Sequence, residues 1–110
     1  MKTLLKTLVL SSFLAATSLA VSAKGSAAKG AEKVAACAAC HGAGGAKPLP
    51  DHPVLAGQHY DYLVAALSQY KAGKRTNAIM KGFAAALKPE DIQDIAAYYA
   101  SQESALKMKY

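Results

Sequence analysis

The chain has 110 residues, 53% hydrophobic and 18% charged, with thirteen Lys and Arg against seven Asp and Glu and a formal net charge of +6. This length sets a single small domain, and two cysteines are too few for a cysteine-rich zinc site. The basic balance has no aromatic-basic stripe beside it, so no nucleic-acid site is expected.

Lys2 and Lys6 form a basic start, Leu8 to Ala16 is apolar, and Val21-Ser22-Ala23 places small residues where a signal peptidase reads. Residues 1–23 are therefore expected to be a cleaved export signal, with cleavage after Ala23 or, next, Ala20. Residues 24–110 form the mature domain. The apolar stretch is shorter than the roughly twenty residues that span a bilayer, and no transmembrane segment is expected after cleavage. The 87 remaining residues carry eleven basic and seven acidic side chains, a formal charge of +4. An all-protein core would be marginal at that size.

Lys24 to Lys29 reads as a flexible lead, and the alanine-rich run from about Ala28 to Ala39 predicts a first helix with Lys29, Glu32 and Lys33 outward. Gly42-Ala43-Gly44-Gly45 breaks it, and Lys47 to Pro53, with three prolines, predicts an extended loop. Tyr62, Leu63, Ala66, Leu67 and Tyr70 recur at three- and four-residue spacing, which predicts a second helix over Gln58 to Ala72 stopped by Gly73. Lys74 to Leu87 is expected to be a second loop. Pro89 suits a first helical position, Glu90 and Asp91 favour the positive end of the dipole, and a last helix is predicted to about Gln102. No strand pattern and no repeat is found, so the expected fold is all-α with three main helices.

Cys37-Ala38-Ala39-Cys40-His41 carries the chemistry. Two thiols three apart share a helix face and reach one porphyrin edge as thioethers, and the following imidazole falls under the ring as an iron ligand. A thioredoxin-type pair would sit at a strand-to-helix turn, for which the β-branched run is missing. A zinc site would need more ligands than His41, His52 and His59 offer at their spacings. One covalently attached haem c, with iron and redox chemistry, is the expected cofactor, and it supplies apolar interior to a small domain.

The chain resembles the class I cytochromes c, most closely the small bacterial type related to one half of the di-haem cytochrome c4. The resemblance rests on Cys37 to Gly42, Pro53-Val54-Leu55-Ala56-Gly57-Gln58, Asn77-Ala78-Ile79-Met80-Lys81-Gly82 and Asp91 to Tyr99, and covers nearly all of 24–110. It implies helices and loops wrapped around one haem, attached outside the cytoplasm. Lys88-Pro89 departs from the family's usual serine or threonine cap. The resemblance also implies that the Pro53 carbonyl accepts from the ligand histidine and that Gly30 and Val34 meet Ile95 and Tyr98 at a helix crossing, while Asn77 is expected either to donate to the Met80 sulfur or simply to form a turn.

For the sixth iron position, Met1 leaves with the signal and Met108 lies in a polar tail, so Met80 remains among the methionines. It follows the second helix far enough along the chain to reach the opposite haem face. His59, beside a helix start, fits less well. A thioether favours ferrous iron and implies a relatively high potential. With both axial positions filled, the protein is expected to be a monomeric periplasmic electron carrier and not an enzyme. Its partners would be a terminal oxidase, a quinol-cytochrome c reductase or a periplasmic dehydrogenase, of which it alternatively forms the electron-accepting subunit. Docking is expected over Ala43 to Lys47 and Lys81 to Phe83, with Lys74 assisting. Tyr60, Tyr62, Tyr70 and Tyr99 are expected to pack with their hydroxyls at the surface.

Overall fold

The computed structural model describes residues 24–104; the expected export signal over residues 1–23, Met1 within it, and Met108 lie outside the described residues. Five α-helices and one short 3-10 turn make up the regular structure, and no strand occurs among the described residues. They are α1 (Ala27–Ala31), α2 (Ala35–His41), α3 (Tyr60–Lys71), α4 (Ala78–Ala85) and α5 (Pro89–Ser101), with the 3-10 turn at Ala43–Gly45.

The single helix expected over Ala28 to Ala39 is divided. Glu32 and Lys33 close the end of α1 with N–H bonds to Lys29 and Gly30 carbonyls, and Val34 leaves the helical region at φ −100°, ψ 6°. The break has a packing cause. Gly30 passes so close to α5 that an added Cβ would strike the Asp94 carbonyl and come within 2.7 Å of Tyr98 Cβ. After that crossing the chain turns Val34 into the core and sets α2 on a new axis. Lys33, at the break, pairs with Asp91 and Asp94 of α5 at 2.7 Å each. Asp94 also accepts from the Ser26 N–H at 2.7 Å, so α1 is tied to α5 at two points.

The core follows from this crossing: Val34, Leu63, Ile95, Ala96 and Tyr99 are buried together, with Leu55, Val64, Leu67, Leu87 and Tyr98 packed around them. Each large aliphatic side chain so buried contributes about 1.5–3 kcal/mol. The Gly30, Val34, Ile95 and Tyr98 contact implied by the family resemblance is present.

The second and last helices match their expected spans within two residues at each end. α3 ends as expected at Gly73, where the Gly73 and Lys74 N–H groups bond back to the Tyr70 and Gln69 carbonyls. At α5 the missing serine or threonine is replaced from the other side: the Asp91 carboxylate accepts the Lys88 N–H at 2.9 Å, half of a reciprocal cap. The segment Lys74 to Leu87 is not a plain loop, because α4 occupies its middle. Asn77 Oδ1 accepts from the Met80 N–H at 3.0 Å and caps a run of good helix formers, which outweighs the cost of Gly82. Among the described residues no helix is long and apolar enough to cross a membrane.

Candidate haem site

A cleft of about 390 Å³ lies between α2, the loop before α3, α3 itself, α4 and α5. Cys37, Cys40, His41, Pro53, Asn77 and Met80 all line it, so the structure brings every sequence-derived site residue to one place. Leu55, Leu63, Leu67, Ile79, Phe83 and Ile95 supply most of its apolar wall.

One wall is α2. Both thiols stand on it, half buried and unpaired with each other, and His41 ends it with only 5% of its surface exposed. His41 Nδ1 lies 2.9 Å from the Pro53 carbonyl. A carbonyl only accepts, so Nδ1 carries the proton and Nε2 keeps its lone pair for a metal. The His52 ring meets His41 edge-on at 5.9 Å, and its Nδ1 donates to the Pro50 carbonyl at 2.8 Å. Backbone bonds from Leu49 to Cys40, from Leu55 to Gly45 and from Gly57 to Tyr99 hold this loop against α2 and α5.

The other wall is α4, which presents Met80, half buried, between Ile79 and Phe83 at 62% and 50% exposure. Asn77 Oδ1 accepts from the Met80 backbone N–H. His59 is the exposed residue preceding α3 and is absent from the cleft lining.

The tyrosines need a correction. Tyr99 is 1% exposed, and its hydroxyl is buried without a hydrogen-bond partner. The hydroxyl lies beside Cys37 on the cleft wall. Burial pushes the Tyr99 phenol well up, and burial likewise pushes the Cys37 thiol up, opposed by the neighbouring hydroxyl. The expectation that its hydroxyl reaches the surface fails because α5 turns this side chain inward against Val34 and Leu63.

The residues present fit a haem. Two sulfurs share one edge of an apolar cleft, an imidazole with a free Nε2 and a thioether line its walls, and an orphaned hydroxyl faces inward. No group of three or more His, Cys, Asp or Glu forms a metal-ion cluster among the described residues, which leaves the zinc alternative without its ligands. Two contributors were missed at the sequence level, Tyr99 and Arg75. The second had a signal, since it is the only arginine in the chain and follows a tyrosine-bearing helix face.

This all-helical domain with a Cys-x-x-Cys-His helix on its cleft is a class I c-type cytochrome. The family model described as Cytochrome c matches residues 27–103, and the chain belongs to that family. It is similar to cytochrome c4 of Pseudomonas aeruginosa, 48% identical over 86 residues, covering 78% of this chain and 43% of the relative. Cytochrome c-554(548) of Halomonas halodenitrificans is 45% identical over 82 residues, covering 72% of this chain and 99% of that protein. A thiosulfate dehydrogenase electron acceptor of Thiomonas intermedia is 41% identical over 69 residues, or 62% and 32% of the two chains. The crystal structure of reduced recombinant cytochrome c4 from Pseudomonas stutzeri superposes with a TM-score of 0.68 at 42% identity, covering 72% of this chain and 46% of that one. The chain thus spans about half the length, or less, of the cytochrome c4 relatives it matches. Members of this family bind covalently attached haem c, and this chain carries the Cys-x-x-Cys-His sequence for it.

Proposed function

We propose that this protein is a mono-haem electron carrier of the bacterial periplasm, exported by residues 1–23 and working as a monomer. Cys37 and Cys40 would hold the haem by thioethers, and His41 Nε2 and the Met80 sulfur would ligate its iron. The haem supplies a one-electron ferric/ferrous couple. The protein fixes the imidazole through Pro53 and surrounds the cleft with an apolar lining, so its own residues would rearrange little on a change of iron charge. The observation that carries the reading is the His41 Nδ1 to Pro53 carbonyl bond at 2.9 Å, which selects the metal-binding tautomer on the same cleft that Met80 lines. Asn77, with its oxygen engaged in the α4 cap, keeps its amide nitrogen for the Met80 sulfur.

Electrons are exchanged over the exposed edge flanked by Ala43, Lys47, Lys81 and Phe83, all exposed, with Lys74 adding positive charge. Suitable donors and acceptors are a quinol-cytochrome c reductase, a terminal oxidase or a periplasmic dehydrogenase. The similarity to a protein named thiosulfate dehydrogenase electron acceptor supports the second reading, service as the electron-accepting subunit of such a dehydrogenase.

Met80→Ala tests the ligand set. The oxidised parent is expected to show the weak long-wavelength charge-transfer band of methionine ligation, and the variant to lose it and bind imidazole or cyanide readily. An unchanged variant spectrum refutes Met80 as ligand.

A further inference from the structure

The Tyr99 hydroxyl is the one buried side-chain nitrogen or oxygen among the described residues that has no hydrogen-bond partner. A buried hydroxyl left unpaired costs stability, so its direction needs a reason. The ring is held. Tyr98 meets it edge-on at 5.1 Å, and Gly45 passes so close that an added Cβ would lie 2.9 Å from Tyr99 Cδ1. The side chains buried with it, Val34, Leu63, Ile95 and Ala96, are apolar and accept nothing. Such surroundings also give a water too few partners. The polarizable atom beside the hydroxyl is the sulfur of Cys37, which packs against the same cluster and lines the same cleft. Burial keeps the phenol proton on its oxygen. As a free thiol, Cys37 carries a proton of its own and is a weak donor as well as a weak acceptor. Once that sulfur is bonded to carbon on both sides, the proton is gone and only lone pairs face the hydroxyl.

We propose that the Tyr99 hydroxyl donates a hydrogen bond to the thioether sulfur that Cys37 forms with haem. This rests on the haem reading above and deepens it, by giving one of the two attachment points a fixed partner on α5. Tyr99 is then a positioning residue. It holds the Cys37 sulfur, and with it one corner of the macrocycle, against the core of Val34, Leu63 and Ile95. Its backbone serves the same end, because the Tyr99 carbonyl accepts from the Gly57 N–H at 2.9 Å and so ties α5 to the loop that carries Pro53. One residue therefore joins the attachment point to the support of the His41 imidazole. A donor at the sulfur also draws electron density from that edge of the ring, which favours the ferrous form.

The test sets the haem-loaded parent beside Y99F, which removes one oxygen and keeps the ring. The sign decides. Loss of an unpaired hydroxyl leaves the variant as stable as the parent or more so, whereas loss of a bonded one is expected to shrink the folding equilibrium constant about two- to ten-fold in denaturant melts. The midpoint potential of Y99F should shift negative. Repeating the change in Cys37→Ala, where Cys40 alone holds the haem, should abolish or reverse the cost, since the sulfur that accepted the bond is gone. In the reduced parent, proton NMR should show a slowly exchanging Tyr99 hydroxyl proton with a nuclear Overhauser contact to the methyl of the Cys37 bridge. If Cys37→Ala loads no haem, the NMR contact and the Y99F potential decide. Three results overturn the proposal: a Y99F protein at least as stable as the parent with the same potential, a cost of equal size with and without Cys37, or an Overhauser contact to the haem propionates in place of the bridge. Failure of the haem reading is separable, because the pyridine haemochrome spectrum of the parent reports whether both cysteines are bonded to the ring.

Discussion

The two walls of the haem cleft are built differently. The histidine wall is held by backbone: α2 follows directly from the α1–α5 crossing, His41 is buried, and its loop is bonded to Cys40, Gly45 and Tyr99 through main-chain groups. The methionine wall is an eight-residue helix with a single residue, Ala84, buried in the protein core, and its apolar side chains Ile79, Met80 and Phe83 line the cleft instead. The first wall is part of the core, whereas the second leans on it. On the proposed ligand set, a bond from His41 to iron would inherit the stability of the whole domain, and one from Met80 would depend on a local element that can open alone.

Two glycine-to-alanine changes put the contrast to its hardest test. Gly30→Ala drives a Cβ into the Asp94 backbone, where nothing flexible can yield, and is expected to cost about 3 kcal/mol. That is a large share of the roughly 5–15 kcal/mol of a small domain. Gly82→Ala on α4 meets nothing within 4 Å and should instead stabilise the helix by about 0.5–1 kcal/mol. Denaturant melts of the haem-loaded variants read both. Equal effects at the two positions would erase the distinction between the walls.

A smaller effect is expected from the ion cluster at the crossing. Lys33 holds the Asp91 and Asp94 carboxyls below the ordinary carboxylate range, chiefly through its hydrogen bonds to them, and the two acids raise the Lys33 ammonium. The sign follows from the depressed carboxyls: their contribution is fully present above about pH 4 and is lost as pH falls through their lowered values. Asp94→Asn should therefore lower the melting temperature at neutral pH, with the gap to the parent closing as the parent's own carboxyls protonate in acid. A gap of constant size down to the acid limit would assign the effect to the Ser26 N–H bond alone.

Which parts were legible in the sequence follows the same division. The cofactor motif and the spans of α3 and α5 are written in local patterns, a fixed spacing of cysteines and apolar residues at helical intervals, whereas the crossing at Gly30 and Val34 was implied by the family resemblance. The division of the first helix was not, because it is imposed by the Asp94 backbone sixty-four residues away from Gly30 and no local signal marks it. α4 was hidden for the opposite reason. Its apolar side, Ile79, Met80 and Phe83, turns to the cleft and not to the protein core, and with Gly82 inside so short a run the Asn77 cap and the alanines are the remaining signals. The buried Tyr99 hydroxyl was illegible because burial of a tyrosine tip is decided by the tertiary neighbours of α5.

The weakest join in the methionine wall offers the finest measurement. Lys71, at the end of α3, donates to the Ala85 carbonyl at 3.0 Å and to the Leu87 carbonyl at 2.6 Å, so an ammonium sits on the unpaired carbonyls that close α4. Cations at that end of a helix are favourable by roughly 0.3–1 kcal/mol when exposed, and Lys71 is exposed. Lys71→Met keeps the aliphatic stem and removes the donors. The global melt should then fall by no more than about 1 kcal/mol, because the α1–α5 crossing is untouched. Displacement of the Met80 sulfur by added imidazole, in contrast, should become about two- to five-fold faster, since the same loss falls on the opening of α4. The pair of readings separates the walls: a rate change matched by an equal loss of global stability would mean that α4 opens only when the whole domain unfolds, and the methionine wall would have no independence to measure.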